Sequence, residues 1–249
     1  MVSVITSTIR VAMFEQLVHN FLRQEYDPKE LIIILNKNDM NVEKLKKKIQ
    51  NIKNIHLYQL DESITLGECL NFAVQKTAYD TIAKFDDDDY YSPNYLSNSL
   101  KRLDETGASV IGKSSIFVYF KKEQLLSLYR EGYNNFYFRN KGHLKRALAG
   151  GTLIFKKKVI EKVQFSKVNL GEDVEFQKDC LNQNLSLYSG DVYDYALIRY
   201  ENDHQHSWKV NNEKFQDHCK KIAITKSLDD YVLSDHLREG GHDFSSGMY

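Results

Sequence analysis

The stretch Thr81-Ile82-Ala83-Lys84-Phe85-Asp86-Asp87-Asp88-Asp89-Tyr90-Tyr91 decides how this chain is read. Its first five residues form an apolar, strand-like run, and four consecutive aspartates follow. Adjacent carboxylates repel one another, and aspartate is disfavoured within strands. An acidic run at a strand end therefore needs either solvent or a cation. Two readings stand. One is a solvated acidic turn. The other is a metal-diphosphate site, in which carboxylates hold a hard divalent ion such as Mg²⁺ or Mn²⁺. Open α/β sheets bind ligands in the crevice beyond the carboxyl ends of their strands, which is where such a run would lie.

Working back from it, the chain alternates strand and helix. Val2 to Ile5 is a short apolar strand, and apolar residues recur at helical spacing from Met13 to Leu22. Leu31 to Leu35 is a continuous apolar run, the signature of a strand buried on both faces. A charged helix over Val42 to Ile49, a strand over Ile55 to Leu60 and a helix over Leu66 to Thr77 lead to the Thr81 to Phe85 strand. This alternation predicts a parallel sheet with helices on both faces. Beyond the acidic run the pattern predicts a helix over Asn94 to Leu103, strand material over Ser109 to Phe120, and a helix or lid-like loop over Glu123 to Gly142. It then predicts a glycine turn and strand over Ala149 to Phe155, a helix over Asp173 to Asn182, strand and turn over Tyr188 to Tyr200, and a helix over Phe215 to Ala223. One continuous domain over 1–236 is expected, with a flexible tail over 237–249.

Composition narrows the class. With 249 residues the chain is long enough for a sizeable core, and 42% hydrophobic with 27% charged residues is ordinary for a soluble globular protein. Lys+Arg and Asp+Glu are both 34, which argues against dominant attraction to nucleic acid or an anionic membrane. Three cysteines without metal-ligand spacing suggest a reducing, cytoplasmic compartment. No apolar stretch approaches the length of a membrane span. Peripheral attachment to a membrane or spore layer stays compatible with this.

Two later clusters join the acidic run. Gly171-Glu172-Asp173 opens an apparent helix, and Asp203-His204-Gln205-His206-Ser207-Trp208 follows a strand. Singly, each has an ordinary explanation. Acidic residues favour a helix N-terminus, and histidines are common on surfaces. Together they fit one chemistry, in which a metal holds a diphosphate leaving group and a separate carboxylate deprotonates an acceptor hydroxyl.

Ser3 to Thr8, the Leu31 to Leu35 strand, Leu66 to Ala73 and Lys84 to Pro93 occur in an order that resembles family 2 glycosyltransferases of the GT-A fold. Leu66 to Pro93, with the later Gly-Glu-Asp and His-x-His-x-Trp, is similar to bacterial glycosyltransferases related to the spore-maturation protein CgeD. The resemblance spans about residues 2 to 210. It implies an α/β GT-A fold: a mixed, mostly parallel central sheet flanked by helices. A Rossmann-like nucleotide-sugar-binding half would cover about 1–105 and an acceptor half about 106–236.

The resemblance also implies roles. Asp86 and Asp88 match the DxD carboxylates, with Asp88 favoured for direct metal contact and Asp86 for the ribose or sugar. Asp89 would hold the loop, and Asp87 is a neighbour within the nucleotide-sugar-binding set. Ser7 and Thr8 match the turn lining the nucleobase and ribose pocket, and Arg10, Asn71 and Gly151 complete the nucleotide-sugar-binding set. Asn36 stands where many relatives carry an Asp, which leaves the base open because an amide both donates and accepts. Asp173 matches the general base of inverting members, with Glu172 beside it, and His206 is preferred over His204 as a third metal ligand. Mn²⁺ or Mg²⁺, a UDP- or dTDP-linked donor and a glycan, lipid-linked or protein acceptor follow from the same resemblance. A homo-oligomer is compatible with the sequence. Two alternatives compete. A nucleotidyltransferase would carry a glycine-rich loop after its first strand, and Val2 to Arg10 has no glycine. A catalytically inactive sugar- or nucleotide-binding module would not need a base.

Overall fold

The computed structural model describes residues 1–138, 141–201 and 210–233. The expected metal ligand His206, its neighbour His204 and the tail over 237–249 lie outside the described residues.

The first half alternates as the sequence predicts. β1 (Val2–Thr8), α1 (Phe14–Leu22), β2 (Lys29–Leu35), α2 (Val42–Ile49), β3 (Ile55–Gln59), α3 (Leu66–Lys76) and β4 (Thr81–Lys84) follow in order. Local chemistry sets the helix starts. The Asn41 side chain accepts from Lys44 N at 2.9 Å to open α2. Thr65 and Glu68 form a reciprocal capping box at the start of α3.

The second half runs β5 (Tyr90–Tyr91), α4 (Tyr95–Thr106), β6 (Val110–Gly112), β7 (Ile116–Phe120), β8 (Leu125–Tyr129), β9 (Phe136–Tyr137) and β10 (Ile154–Lys156). α5 (Glu172–Asn182), β11 (Leu187–Ser189), β12 (Tyr195–Arg199), α6 (Asn212–Gln216), β13 (Cys219–Ile224) and α7 (Asp229–Val232) complete it.

Among the described residues, eight strands form one sheet in the order β3-β2-β1-β4-β10-β6-β11-β9. The β3-β2-β1-β4 block is parallel. β10 is antiparallel to both its neighbours, β6 and β11 are parallel, and β9 is antiparallel at the edge. The mixed, mostly parallel sheet is therefore as expected. Its two faces are packed by different helices. Leu31, Ile33 and Leu35 join the core containing α1, α2 and α4 residues, whereas Ile32 and Ile34 join the core with Cys69, Leu70, Phe176 and Cys180 from α3 and α5. The pleat's alternation divides one apolar run between two cores.

A second sheet was not anticipated. Five strands pair in the order β13-β8-β7-β12-β5. The predicted helix or lid-like loop over Glu123 to Gly142 is corrected: β8 pairs antiparallel with β7, and β9 joins the large sheet. The predicted helix over Phe215 to Ala223 is also corrected. Only the short α6 forms, and β13 pairs antiparallel with β8. Phe215, Cys219 and Ile222 have helical spacing, but β-branched Ile222 and Ile224 suit the open edge of β8 equally well, and tertiary pairing decides. Because β4 belongs to one sheet and β5 to the other, Phe85 to Asp89 is the crossing between them. No helix among the described residues is long and apolar enough to cross a membrane.

Candidate active site

The crossing is rigid. Phe85 and Tyr91 stack with ring centroids 3.8 Å apart, and Tyr95 and Tyr195 meet Tyr91 edge-on. The Tyr91 hydroxyl accepts from Asp86 N at 2.8 Å and donates to Gly151 O at 2.7 Å. Tyr95 donates to Thr152 O at 3.0 Å. These tyrosines tie the acidic run to the tight turn Gly150–Thr152.

The four aspartates divide into distinct environments. Asp86 is the most exposed, and it accepts from Lys84 Nζ at 2.6 Å. Asp87 is buried and accepts from Thr8 Oγ1 at 2.5 Å, from Arg10 Nε at 3.2 Å and from Arg10 Nη2. Thr8 and Arg10 fix it in place, partners that the sequence did not reveal. Asp88 accepts from Arg10 Nη1 at 2.9 Å. Asp89 is buried, taking Tyr195 Oη at 2.5 Å and Ile198 N at 3.2 Å, while its carbonyl accepts from Asn20 at 2.8 Å and Gln16 at 3.1 Å. Its visible work is to hold the crossing to β12 and α1.

Glu172 and Asp173 arrive from the far end of the chain. Gly171, at φ +81°, turns the backbone into α5 in a conformation that glycine adopts at low cost. The first turn of α5 then brings Glu172 Oε1 to 4.0 Å from Lys84 Nζ. Asp173 Oδ1 accepts from Val174 N at 2.8 Å. Its Oδ2 faces the glycine turn so closely that a Cβ on Gly150 would lie 2.5 Å away. At Gly151 a Cβ would meet Asp86 Oδ2 and the Tyr91 hydroxyl, each at 2.9 Å. At both glycines the missing Cβ leaves the room that these side chains occupy.

The electrostatics follow from burial. Burial pushes the Glu172 carboxyl up to about 7, with Lys84 opposing and Asp173 adding to the shift. Asp173 is raised by burial as well, again against Lys84. Asp87 rises to about 6 through burial and then the Asp88 charge, opposed by Arg10. Lys84 is itself almost fully buried; burial favours its neutral form, but Asp86, Glu172 and Asp173 outweigh that and hold it charged. The sequence reading missed Lys84, although its one signal was visible: a charged residue inside an apolar strand.

The remaining predicted residues are placed as follows. Ser7 and Thr8 end β1, and Asn36 follows β2, where its backbone N–H donates to Thr8 O at 2.9 Å. The Asn36 amide donates to Asp61 O at 2.8 Å. The Asn71 amide donates to Phe165 O at 2.8 Å and accepts from Phe165 N at 3.0 Å, so it clamps a loop backbone. Tyrosines of the second half pack against their surroundings. Tyr119 donates to Thr225 O at 2.9 Å, Tyr129 meets Phe215 edge-on, and Tyr133 lies under the Arg146 guanidinium.

The donor set suits a hard divalent ion. Asp86, Asp87, Asp88, Asp89, Glu172 and Asp173 supply only oxygens, and the described ion pairs set two cations, Arg10 and Lys84, against them. Several of these carboxyls are pushed towards protonation, which a dication would reverse. Among the described residues no three potential ligands converge into a ready-made cage. Asp86 and Asp88 are engaged by different cations.

Residues 3–164 match the model of the family described as glycosyl transferase family 2. No curated protein matches the chain by sequence. Among solved structures, S. aureus TarS 1–349 in complex with UDP-GlcNAc aligns with TM-score 0.65 at 19% identity, covering 95% of this chain and 71% of that one. Another structure of TarS 1–349 gives TM-score 0.62 at 19% identity over 79% of this chain, which spans only 60% of it. The mannosyltransferase PcManGT from Pyrobaculum calidifontis, in complex with GDP-Man and Mn²⁺, gives TM-score 0.58 at 14% identity, covering 80% and 56%. At these identities the likeness shows a shared fold. With the family model covering most of the chain, and a large mixed sheet whose acidic crossing lies where the motif order placed it, the chain belongs to glycosyl transferase family 2 and has the GT-A fold.

Proposed function

We propose that this chain is a metal-dependent, inverting glycosyltransferase that moves a sugar from a nucleotide-diphospho-sugar to an acceptor hydroxyl. The observation that carries the reading is the meeting of Asp173, from the start of α5, with the Gly150–Gly151 turn beside Asp86. One carboxylate placed for proton transfer, next to an acidic crossing able to hold a cation, is the equipment of a single displacement.

In this scheme the acceptor oxygen attacks the anomeric carbon while the carbon–oxygen bond to the diphosphate breaks, and the leaving group keeps the electron pair. Asp173 takes the acceptor proton. Burial makes its carboxylate more basic than one in water, which suits that task. Glu172 is the more deeply buried of the two and lies against Lys84, so it orients and balances rather than accepts. When bound, Mn²⁺ or Mg²⁺ would offset the charge of the departing diphosphate, with Asp88 and Asp86 as its protein ligands and His206 as a third. Ser7, Thr8, Arg10 and Asn36 would border the nucleotide, given their places at the ends of β1 and β2.

The same proposal takes residues 1–236 as one GT-A domain of the CgeD-like subgroup, working in the cytoplasm with a UDP- or dTDP-linked donor. That TarS and PcManGT were seen with UDP-GlcNAc and GDP-Man respectively supports a nucleotide-sugar donor in general.

Slow donor hydrolysis tests it. UDP-, dTDP- and GDP-sugars incubated with Mn²⁺ or Mg²⁺ are expected to release nucleoside diphosphate, and Asp88→Asn is expected to abolish release. Undiminished turnover in EDTA would remove the metal from the scheme. A released or transferred sugar that keeps its anomeric configuration would remove inversion.

A further inference from the structure

We propose that Arg10 is the resident cation on Asp88, holding it until a divalent ion and a nucleoside diphosphate arrive together and so coupling metal binding to donor binding. The inference rests on Asp88 as a metal ligand and adds a role for Arg10 that the ligand set does not contain.

The grip of Arg10 is uneven. Of the guanidinium nitrogens, Nε, at 3.2 Å, and Nη2 reach Asp87, whereas Nη1 reaches Asp88, at 2.9 Å. The Asp87 end is fixed from behind. Thr8 Oγ1 donates to Asp87 Oδ2 at 2.5 Å and accepts from Arg10 N at 3.0 Å, and Thr8 is held in β1 by its pairing with Leu35. At the other end Arg10 reaches Asp88 through one hydrogen bond. Arg10 can release Asp88 by breaking that bond while Asp87 keeps the guanidinium in place.

Release is what a metal requires. A dication on Asp88 Oδ2 would share that oxygen with a guanidinium, and two cations a few ångströms apart repel strongly in a partly buried site. Metal alone therefore binds against Arg10. A nucleoside diphosphate changes the balance, because the released Nη edge can donate to phosphate oxygens in the fork geometry that guanidinium favours. The anion thus separates the two cations and satisfies both. By linkage, whatever factor the nucleotide adds to metal affinity, the metal adds to nucleotide affinity.

Mn²⁺ titration of the full chain, reading free Mn²⁺ by its six-line electron paramagnetic resonance signal, tests this with and without UDP, dTDP or GDP. The wild type is expected to bind Mn²⁺ weakly alone and at least about tenfold more tightly with one of these nucleotides. Arg10→Gln is expected to bind Mn²⁺ alone at least about tenfold more tightly than the wild type and to gain less from nucleotide. Because Arg10→Gln leaves Asp87 buried without its main partner, the pair Arg10→Gln/Asp87→Asn is measured beside it, and tighter binding of Mn²⁺ alone is expected there too. An Arg10→Gln protein that is folded by circular dichroism and binds Mn²⁺ no more tightly than the wild type would overturn the proposal. So would wild-type binding that is tight and indifferent to nucleotide, which would nonetheless leave the metal reading standing. Absence of Mn²⁺ binding in every protein with every nucleotide would overturn the metal reading itself.

Discussion

At Gly150 an added methyl would lie 2.5 Å from Asp173 Oδ2, and what it meets is the end of a side chain rather than backbone. Asp173 can swing away, so Gly150→Ala is expected to fold with a melting temperature within a few degrees of the wild type. The displaced carboxylate would no longer meet the acceptor, and transfer is expected to fall about 10²-fold, as small misplacements of reacting groups do. Asp173→Asn is expected to keep nucleotide binding, measured by calorimetry, while transfer falls about 10²–10⁴-fold; lost binding would instead make Asp173 structural. Glu172 carries a pH signature. Its carboxyl rises from an ordinary 4.5 to about 7 in the folded chain, so the folded state holds this proton more tightly than the unfolded one. The stability it contributes is complete below pH 4.5 and is lost as pH rises through 7. Asp87, raised from 3.8 to about 6, acts with the same sign. Denaturant midpoints are therefore expected to fall between pH 5 and pH 8. Glu172→Gln, with Lys84 still paired to Asp86, is expected to flatten that slope and to exceed the wild type at pH 8 by on the order of 1–3 kcal/mol.

One face of α3 carries the loop that leads into α5. A Cβ on Gly67 would lie 1.8 Å from Ser166 O, a backbone atom with no side chain to yield, and Gly67 N donates to Val168 O at 3.2 Å. One turn later the Asn71 amide pairs both backbone groups of Phe165, while Leu66 N donates to Asn169 Oδ1 at 2.9 Å. Phe165 to Asn169 is thus sewn to α3 just before Gly171 opens α5. Asn71→Ala is expected to cost about 1–3 kcal/mol in denaturant melts, since it orphans two buried backbone groups. It is expected to lower transfer through Asp173 while leaving UDP affinity near that of the wild type. Lost UDP affinity in a folded Asn71→Ala protein would instead favour the nucleotide contact read from sequence. Gly67→Ala is expected to be worse, because the loop itself must move.

At the scale of the molecule, two sheets meet at Phe85 to Asp89, so whatever binds there ties one sheet to the other. Mn²⁺ with the right nucleoside diphosphate is expected to raise the melting temperature, and EDTA to remove most of the gain, by mass action on the folded state. A thermal series over UDP, dTDP and GDP that shows no metal-dependent shift for any of them would contradict the donor reading.

The parallel block β3-β2-β1-β4, the helices between its strands and the start of α5 were legible in the sequence, because each rests on local period and capping. The second sheet was not. β5, β7, β8, β12 and β13 are short and scattered along the chain, and whether Phe215 to Ile224 becomes helix or strand depends on the free edge of β8. The candidate site divides in the same way. The sequence by itself supplied the four adjacent aspartates, the Glu172-Asp173 pair and the glycine turn. Only the tertiary structure assigned Asp86 to Lys84, Asp87 and Asp88 to Arg10, and Asp89 to Tyr195, and only it gave Asn71 the Phe165 backbone to clamp. The physical reason is that neighbours in an irregular crossing point in different directions. Except for Lys84, two residues from Asp86, their partners come from distant parts of the chain through packing, about which the order of residues is silent.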